Sequence, residues 1–452
     1  MNVKRYVLLF NIFFLLLLIA ATFLFEWKPT IAGENLRPID ILADIKKDTL
    51  QNKFQADNVA ITTKLNKGNI AIRDYNSYDG LINASGEQFA LKDFMQKLAD
   101  LKRKKRKKIR IAFFGDSMIE GDLITEDVRK QLQDIFGGSG VGFVPITSIV
   151  AGFRTTVIHS FSDNWMDENF KSADRAGAKL FISGHSFFGD SSSWVNYKPV
   201  NRPHLNSFSN VSVLYGMPAS GKNNSATLTV NGKQQAITAN ESFNVFDTKV
   251  NAKDFTLGIS SADIPLYGTA FESDSGIVID NFSFRGITGV ELHYFTDEFL
   301  KQIQKTRPYD LLVFEYGPNI LFRPNLTDFS WYERQMMPTL KKIRAAFPQT
   351  SILVISTADH AFNYQGEWHS AKGIQSLVNV QYDMAQKINA DFLNLYKGMG
   401  GQDAIVEWVQ GDTVYANKDY THVNFRGAKR LADIIFNAIM KEYDDFEKHT
   451  DQ

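Results

Sequence analysis

The sequence predicts an α/β protein whose parallel sheet, covered by helices, is interrupted by an all-β segment. Apolar runs typical of buried strands alternate with amphipathic helical patterns on both sides of that segment. Between about residues 151 and 280 the pattern changes to short alternating runs with closely spaced turn residues, which indicates antiparallel strands. The 452 residues exceed the size of one ordinary hydrophobic core, so we expect one large domain with an insertion, or two domains.

The composition excludes several classes of function. Hydrophobic residues at 44% and charged residues at 22% are ordinary for a globular chain, so most of it should fold. Fifty basic and fifty acidic side chains give a net charge of zero, which argues against a protein that holds nucleic acid by neutralising phosphates. With no cysteine, the chain has no disulfide, no thiolate metal site and no cysteine nucleophile. We therefore predict no nucleic-acid partner.

Residues 1–27 have the pattern of a membrane anchor. The apolar core from Val7 to Phe25 covers about 28 Å of bilayer at about 1.5 Å per residue, and Tyr6 and Trp27 flank it at the headgroup levels. A cleaved secretory signal is the alternative, but its apolar region is usually only about 7 to 15 residues long. The basic residues before the apolar core favour a cytoplasmic tip. We therefore expect the folded body on the exported side, in the periplasm or outside the cell.

Residues 28–108 form an amino-terminal segment that ends in a helix and a basic run. Apolar residues keep helical spacing from Phe89 to Leu101, and the run from Lys102 to Lys108 contains only lysine and arginine. One interpretation of the basic run is a patch for anionic lipid or an acidic polymer. The alternative is the solvated carboxyl end of a helix, where cations interact favourably with the helix dipole.

Residues 109–150 are predicted to begin the α/β domain. The run from Ile109 to Phe114 is typical of a strand buried on both faces, and an amphipathic helix follows from about Thr125 to Phe136. The glycine-rich stretch from Gly137 to Phe143 lacks both the lysine of a phosphate loop and the spacing of a dinucleotide fingerprint. We interpret that stretch as a loop.

Residues 151–280 are predicted to form an inserted sandwich. The pair Asn231-Gly232 between two alternating runs is a strong signal for a two-residue hairpin, because both central residues of that turn need positive φ. From residue 281 to 445 strands and helices alternate again, which predicts a return to the parallel sheet. The predicted strands lie at 309–317, 351–357 and 391–396, and the predicted helices lie near 331–347, 371–389 and 425–443.

The ends of predicted strands carry side chains suited to acyl transfer. An open parallel sheet presents its working residues at the carboxyl ends of its strands. Ser117 follows the first strand, and Asn319 follows a later one. Asp419 and His422 lie just before the last helix, so one short loop delivers both. Together these residues supply a nucleophile, a base, an acid that orients the base, and an amide donor for an oxyanion.

Other polar residues near these motifs are weaker candidates. Asp359 and His360 follow another predicted strand and rank second as a source of acid or base. Glu120, Asp122 and Glu315 lie near the motifs, but their spacing assigns them no role. Each motif taken singly also suits a helix cap or a turn, whereas their joint occurrence favours a catalytic site. The eight histidines include no HExxH pattern, so we predict no metal and no cofactor.

Three motifs in chain order resemble blocks of the SGNH (GDSL-type) hydrolase family. GDSMIEGD begins at Gly115, YGPN begins at Tyr316 and DYTH begins at Asp419, and these are similar to the first, third and fifth blocks. The family's second-block glycine falls within DNFSFRGITG, where we select Gly286 over Gly289. The resemblance implies a flavodoxin-like three-layer sandwich with a parallel sheet.

The resemblance also implies a role for each matching residue. Ser117 is the implied nucleophile, and Asp419 and His422 complete a Ser-His-Asp triad. The implied oxyanion hole consists of the backbone N–H groups of Ser117 and Gly286 and the side-chain amide of Asn319.

The resemblance covers roughly residues 109–150 and 280–443. Within it, Asn319 is followed by Ile320, where many family members have aspartate, so secondary contacts differ while the amide donor remains. The β-rich insertion resembles the carbohydrate-binding-module-like insert of bacterial peptidoglycan O-acetyl esterases in this family. This implies a polymeric glycan substrate.

We therefore expect a membrane-anchored serine esterase that removes O-acyl groups, chiefly O-acetyl, from an extracytoplasmic polysaccharide or peptidoglycan. One alternative is an O-acetyltransferase that uses the same triad beside a membrane acyltransferase partner. Another is a non-catalytic glycan-binding protein in which Trp194 and Tyr197 stack on sugar rings. Aromatic residues of a sandwich also commonly fill its core.

Overall fold

The structure, a computed structural model, describes five stretches of the chain: 30–31, 34–35, 80–172, 179–250 and 253–450. The chain divides into two units, residues 1–71 and 72–452. In the first unit, two-residue strands β1 (Thr30–Ile31) and β2 (Glu34–Asn35) pair antiparallel. The predicted anchor at residues 1–27 lies outside the described stretches. Among the helices within those stretches, none has the length and apolarity needed to cross a membrane.

The second unit contains the three large sheets and the helices that cover them. Its strands are β3 (Lys108–Gly115), β4 (Gly142–Pro145), β5 (Ile158–Phe161), β6 (Met166–Asn169), β7 (His185–Phe188), β8 (Trp194–Lys198), β9 (Asn210–Gly216), β10 (Ser225–Val230), β11 (Lys233–Thr238), β12 (Phe243–Lys249), β13 (Phe255–Ile259), β14 (Leu266–Glu272), β15 (Gly276–Ser283), β16 (Leu311–Glu315), β17 (Ser351–Ile355), β18 (Ala361–Tyr364), β19 (Glu367–Ser370) and β20 (Asp391–Leu393). Its helices are α1 (Lys92–Lys102), α2 (Thr125–Phe136), α3 (Asp297–Thr306), α4 (Ser330–Ala346), α5 (Ile374–Lys387), α6 (Leu395–Met399), α7 (Ala404–Gln410) and α8 (Phe425–Thr450).

The central sheet has five parallel strands in the spatial order β15-β3-β16-β17-β20. Counted along the chain this order is 2-1-3-4-5, which is the flavodoxin-like order. In such sheets ligands bind beyond the carboxyl ends of the strands, where the strand order reverses. That point lies between β3 and β16, and the chain passes from β3 directly to Ser117. The predicted parallel α/β sheet is confirmed.

Helices cover both faces of the central sheet, because alternate residues of each strand point to opposite sides. On β3, Ile109, Ile111 and Phe113 pack in one hydrophobic cluster with α1, α2 and α8. Ala112 and Phe114 pack in another cluster with α3, α4 and α5. The central sheet and its two helical layers therefore form the expected three-layer sandwich.

The β-rich part consists of two antiparallel sheets. One has the order β11-β10-β13-β8-β5, and the other has the order β12-β9-β14-β7-β6 with β4 paired to β14. Side chains from both sheets share one buried cluster. Asn231 and Gly232 form the predicted hairpin turn between β10 and β11, with φ of 46° and 77°. Tyr197 is fully buried in this core, so the suggestion that it stacks on sugar is wrong, whereas Trp194 is 43% exposed.

Two strands lie on the other side of the boundaries expected between the α/β and β-rich parts. β4 lies in the range 109–150 but pairs with β14 of the six-stranded antiparallel sheet. β15 begins at Gly276, inside the range 151–280, and pairs along its whole length with β3. Gly142 lets β4 lie close to β15, because a Cβ on Gly142 would lie 2.0 Å from the carbonyl oxygen of Ile279.

The six-stranded antiparallel sheet packs directly against the central sheet. Phe143, Leu214 and Tyr267 of the β-rich part belong to the same buried cluster as Phe114 and Phe314 of the central sheet. The two parts therefore share one hydrophobic core within the second unit.

The helix before the basic run is confirmed and extends from Lys92 to Lys102. Phe94 and Leu98 are fully buried in the cluster that covers the central sheet. Several cations of the basic run contact acidic side chains of the same unit: Arg103 with Glu447, Arg106 with Asp310, and Lys108 with Glu272. These contacts favour the interpretation of a helix end over that of a free basic patch.

Candidate active site

The turn after β3 presents the hydroxyl of Ser117. Gly115 ends the strand, and a Cβ there would lie 2.8 Å from the carbonyl oxygen of Glu315 on the neighbouring strand. The next residue, Asp116, is fully buried, and its Oδ1 accepts a hydrogen bond of 2.9 Å from the N–H of Met118. This local bond closes the turn around Ser117, whose side chain remains partly accessible.

The loop before α8 holds Asp419 and His422, the predicted acid and base. Asp419 Oδ1 accepts hydrogen bonds from the N–H groups of Thr421 and His422, each 3.0 Å long. Its other oxygen, Oδ2, lies 2.8 Å from Nδ1 of His422. Asn424 then caps the first turn of α8 by accepting from two of its N–H groups. One short, internally bonded loop therefore fixes the orientation of the imidazole.

Ser117, His422 and Asp419 meet in series. Ser117 Oγ lies 2.8 Å from His422 Nε2, on the opposite side of the ring from Asp419. The hydrogen bond with Asp419 raises the pKa of His422 above its usual value. Although burial opposes the shift, the hydrogen bond from His422 lowers the pKa of Asp419 to about 2. The acid is therefore ionised at neutral pH and holds the Nδ1–H tautomer.

The loop that contains Gly286 lies beside the nucleophile. The N–H of Phe284 donates to the carbonyl of Gly115 at 3.1 Å, and Arg285 forms an ion pair of 2.6 Å with Glu120. Gly286 has a φ of 78°, a conformation that favours glycine. Among the described residues, neither its N–H nor that of Ser117 has an acceptor. Both groups therefore remain available to an oxyanion, whereas Gly289 packs against the ring of Tyr316.

The amide of Asn319 reaches the same place, but both of its hydrogens are engaged. Nδ2 donates to Asp116 Oδ2 at 2.9 Å and to the carbonyl of Ile287 at 3.0 Å. To donate a hydrogen bond to an oxyanion, the Asn319 amide would have to break its hydrogen bond with Asp116 or with Ile287. Ile320, which follows Asn319 where many SGNH members have aspartate, is fully buried in the core.

Two buried carboxyl groups lie beneath the nucleophile. Burial raises the pKa of Asp116 to about 6, against the hydrogen bonds that it accepts. Burial and the neighbouring charge of Asp116 raise the pKa of Glu315 well above its usual value. Neither oxygen of Glu315 has a hydrogen-bond partner. Glu315 is therefore held in its neutral form, since an unpaired buried carboxylate is costly.

Asp122 anchors the loop that follows the nucleophile. Its carboxylate contacts Arg129 of α2 at 2.6 Å and accepts a hydrogen bond of 2.8 Å from Thr156 in the β-rich part. Although burial opposes the shift, the charges of Arg129 and Arg154 lower the pKa of Asp122 to about 2. The network connects the nucleophile loop, α2 and the β-rich part.

The second-ranked pair lies behind the base loop. His360 Nδ1 is 3.0 Å from Thr421 Oγ1, so His360 touches the residue before the base and not the nucleophile. Burial lowers the pKa of His360 to about 4, and the charge of His422 adds to this. Asp359 is fully buried and accepts from the N–H groups of His360 and Ile405. These residues support the base loop.

A cation that the sequence analysis missed lies beside Gly286. Nζ of Lys171 lies 2.9 Å from the position that a Cβ on Gly286 would occupy. It also lies 6.0 Å from the ring centroid of Phe284. Lys171 follows β6 in the β-rich part, in a stretch without any motif, so only the tertiary structure reveals it. The β-rich part therefore contributes a side chain next to the candidate site.

In the parts of the chain that the structure describes, no group of three acidic or histidine side chains could hold a metal ion. The absence of a metal and a cofactor from the reaction stays a prediction. The roles assigned to the triad and to the oxyanion donors also stay predictions, with the geometry given above.

The comparisons with known proteins support the fold. No protein-family model and no curated protein matches the chain. A solved peptidoglycan O-acetylesterase matches with a TM-score of 0.66 and 21% identity, over 80% of this chain and 98% of its own. A Bacillus subtilis protein from a structural genomics consortium matches with a TM-score of 0.32 and 14% identity, over 63% and 90%. A family two carbohydrate esterase from Cellvibrio japonicus matches with a TM-score of 0.26 and 9% identity, over 64% and 98%.

Of these three matches, the first alone has a TM-score that establishes a common fold. That match extends over nearly the whole of the solved enzyme. The α/β fold implied by the SGNH resemblance is confirmed, and this chain shares it with the solved peptidoglycan O-acetylesterase.

Proposed function

We propose that the chain is a serine esterase that removes O-acyl groups, chiefly O-acetyl, from a polysaccharide outside the cytoplasm. The observation that carries this proposal is the series of Ser117, His422 and Asp419, with both contacts at 2.8 Å. This arrangement is what nucleophilic acyl transfer requires. The motif resemblance to SGNH hydrolases and the fold shared with a peptidoglycan O-acetylesterase support the same reaction class.

The proposed reaction proceeds through an acyl-enzyme. His422 Nε2 takes the proton of Ser117 Oγ as that oxygen attacks the ester carbonyl. The N–H groups of Ser117 and Gly286 stabilise the resulting oxyanion. The imidazolium then gives the proton to the sugar oxygen as the C–O bond breaks. A water molecule then attacks the acyl carbonyl while His422 Nε2 takes its proton. The imidazolium returns that proton to Ser117 Oγ as the bond between Oγ and the acyl carbon breaks, which releases the carboxylic acid and free Ser117.

Hydrolysis is favoured over transfer to a sugar by the exposure of the triad. The side chains of His422 and Asp419 are 39% and 49% exposed. A transferase must protect its acyl-enzyme from water, whereas an esterase needs water beside its base. The open imidazole therefore suits water as the acceptor.

The substrate class is proposed from the resemblance of the β-rich insertion to a carbohydrate-binding-module-like insert and from the activity of the solved neighbour, which is a peptidoglycan O-acetylesterase. We assign the chain an O-acetylated glycan of the cell envelope as substrate. The apolar run from Val7 to Phe25, with basic residues before it, supports a membrane anchor and a catalytic body on the exported side.

The test compares wild type with Ser117→Ala on 4-nitrophenyl acetate and on O-acetylated peptidoglycan, with released acetate measured. Wild type should release acetate from both substrates, and Ser117→Ala should lose at least about 10³-fold in rate. Ser148→Ala, on the nearby loop before β5, is the matched control and should keep its rate. Equal rates for wild type and Ser117→Ala would contradict the proposal. Mass spectrometry after treatment with an organophosphate should place the label on Ser117.

Location has its own test, which uses the absence of cysteine. A single Ser192→Cys substitution in the exposed part of the β-rich region introduces the chain's only thiol. If the body is exported, a membrane-impermeant maleimide should label this thiol in cells whose inner membrane is intact. Labelling that requires lysis of the inner membrane would contradict the proposed location.

A further inference from the structure

Two half-exposed phenylalanine rings stack on each other beside the triad. Phe153, in the loop between β4 and β5, and Phe425, the first residue of α8, are each 46% exposed. Their ring centroids are 5.0 Å apart with an angle of 22° between the planes. We call this pair the aromatic ridge. Contiguous exposed apolar surface of this kind is typical of an interaction site.

The aromatic ridge connects the loop of the nucleophile with the loop of the base. Phe425 is three residues after His422, and three residues span at most about 11 Å. The ring of Phe153 lies over Gly121, because a Cβ on that glycine would be 2.9 Å from its Cδ1. Gly121 is four residues after Ser117. A polymer whose ester reaches Ser117 therefore passes close to the ridge.

The backbone beneath the aromatic ridge is held firmly in place. The N–H of Phe153 donates to the carbonyl of Val150 at 3.0 Å. The next side chain, Arg154, is 8% exposed and lies 3.4 Å from Asp122 Oδ2. Phe425 follows the capping residue of α8. The exposed rings are therefore presented by anchored backbone on both sides, and binding a ligand costs little ordering of the chain.

A partly exposed ion pair lies beside the loop that contains Gly121. Glu120, next to Gly121, pairs with Arg285 at 2.6 Å, and the Arg285 side chain is 46% exposed. A pyranose ring has apolar C–H faces and a polar rim of hydroxyl groups, so it can meet an aromatic surface and charged hydrogen-bonding groups together. A hydrocarbon acyl chain has no polar rim to satisfy. The combination of ridge and ion pair therefore fits a sugar better than a lipid chain.

We propose that the aromatic ridge is a sugar-binding subsite that holds a ring of the O-acylated glycan while its ester lies at Ser117. This inference rests on the proposed esterase function and adds to it the place where the polymer is recognised. The ridge makes the polymer a better substrate than a small ester, because the small ester leaves both rings uncovered.

The first test measures the ratio of kcat/KM for O-acetylated peptidoglycan strands to kcat/KM for 4-nitrophenyl acetate. The double variant Phe153→Ala/Phe425→Ala should lower this ratio about tenfold, since it removes most of the apolar area that a sugar would cover. Phe425→Tyr keeps an aromatic face and should retain most of the ratio. Trp194→Ala, which removes an exposed aromatic ring of the β-rich sheet, is the matched control and should leave the ratio unchanged.

Three outcomes would overturn the proposal. The first is an unchanged ratio in the double variant with native circular dichroism. The second is an equal fall of the ratio in Trp194→Ala, which would place sugar recognition elsewhere. The third is a selective loss on 4-nitrophenyl octanoate, which would make the ridge an acyl-chain site.

A binding experiment separates failure of the ridge from failure of the proposed function. Calorimetric titration of Ser117→Ala protein with O-acetylated peptidoglycan strands should give a Kd about tenfold lower than the same titration of Ser117→Ala/Phe153→Ala/Phe425→Ala. If wild type hydrolyses no ester while this difference holds, the esterase is wrong and the subsite stands. If wild type hydrolyses the strands and the two Kd values agree, the subsite alone is wrong.

Discussion

At the scale of single residues, the base depends on one hydrogen bond for both its orientation and its proton affinity. Asp419 contacts His422 at 2.8 Å and raises its pKa. Only unprotonated His422 can accept the proton of Ser117, so kcat/KM should rise with pH through this raised pKa. The rise should therefore lie above the usual histidine value of about 6.5.

We predict that Asp419→Asn lowers kcat by about 10³-fold to 10⁴-fold, because the amide no longer holds the productive tautomer. Without the carboxylate the pKa of His422 falls, so the acidic limb of the kcat/KM profile should move to lower pH. A pH series on 4-nitrophenyl acetate measures both effects. Asp445→Asn, an exposed aspartate near the end of α8, is the control and should change neither. An unmoved limb would show that Asp419 does not set this pKa.

Glu315 gives a prediction about stability rather than rate. Its pKa is raised in the folded chain, whereas in the unfolded chain it ionises near 4.5. Below about pH 4.5 Glu315 is neutral in both the folded and the unfolded chain, so it does not lower the free energy of unfolding. As pH rises from there toward the raised pKa, Glu315 ionises only in the unfolded chain, and the free energy of unfolding falls. Glu315→Gln cannot ionise, so its free energy of unfolding relative to that of wild type should rise by up to about 1.4 kcal/mol for each pH unit above that point.

Urea unfolding of wild type and Glu315→Gln at pH 5 and pH 8 measures this difference. The free energy of unfolding of Glu315→Gln minus that of wild type should be larger at pH 8 than at pH 5. Glu241→Gln, at an exposed position just before β12, should show no such change. A difference that is the same at pH 5 and pH 8 would mean that Glu315 is already ionised in the folded protein at pH 5.

At the scale of elements, the buried carboxylate of Asp122 connects three parts of the fold. Asp122→Asn would leave Arg129 and Arg154 buried without their counter-charge, which we expect to cost about 3–5 kcal/mol. The folded pKa of Asp122 is lowered, so this stability should be present at neutral pH and lost as pH falls from about 4 toward about 2. Asp127→Asn on α2 is the control in urea unfolding at pH 7, and equal destabilisation by both would contradict the prediction.

The elements that sequence reasoning predicted well are those with strong local patterns. The helix at Thr125–Phe136 has the predicted bounds, and the apolar run from Ile109 is a central strand. The positions of Ser117, Asp419 and His422 could be selected from the sequence because the SGNH-like motifs mark a strand end and a loop separately, and the catalytic roles of these residues stay predictions. The sequence did not show to which sheet β15 belongs, because a short apolar run is compatible with a strand of a parallel sheet and with a strand of an antiparallel sheet.

Contacts between distant residues explain what else the sequence could not provide. Phe153 and Phe425 are separated in the chain by most of the β-rich part and most of the α/β part, and nothing local in either segment indicates that their rings stack. Lys171 reaches Gly286 from a loop of the β-rich part. The two acceptors of Asn319 lie on separate loops as well. Each of these features depends on tertiary packing that has no signature in either segment alone.

At the scale of the whole second unit, the α/β and β-rich parts are joined by polar contacts as well as by their shared core. Arg307, at the end of α3, pairs with Asp280 of β15 at 2.9 Å and with Glu272 of β14 at 3.0 Å, and all three are buried. We predict that the two parts unfold together. Amides of β9 and of β3 should show the same free energy of hydrogen exchange under EX2 conditions.

Arg307→Ala should lower the protection of both sheets by the same amount, about 3–5 kcal/mol, because it leaves the buried carboxylate of Asp280 without its counter-charge, whereas Glu272 keeps its ion pairs with Lys108 and Arg110. Arg334→Ala, on the exposed side of α4, is the control and should leave protection unchanged. Hydrogen exchange read by mass spectrometry reports each sheet separately. Protection lost from the antiparallel sheets alone would show that the β-rich part unfolds as an independent module.

The nucleophile and the base are 305 residues apart in the chain, although their side chains touch. A ribosome that adds about 5 to 20 residues per second needs about 15 to 60 s to make that stretch. During this interval every nascent chain carries a serine with no imidazole to activate it. If the proposed function is right, hydrolytic activity is therefore withheld until His422 has been made, and a fragment that stops before His422 cannot attack an ester in the cell that makes it.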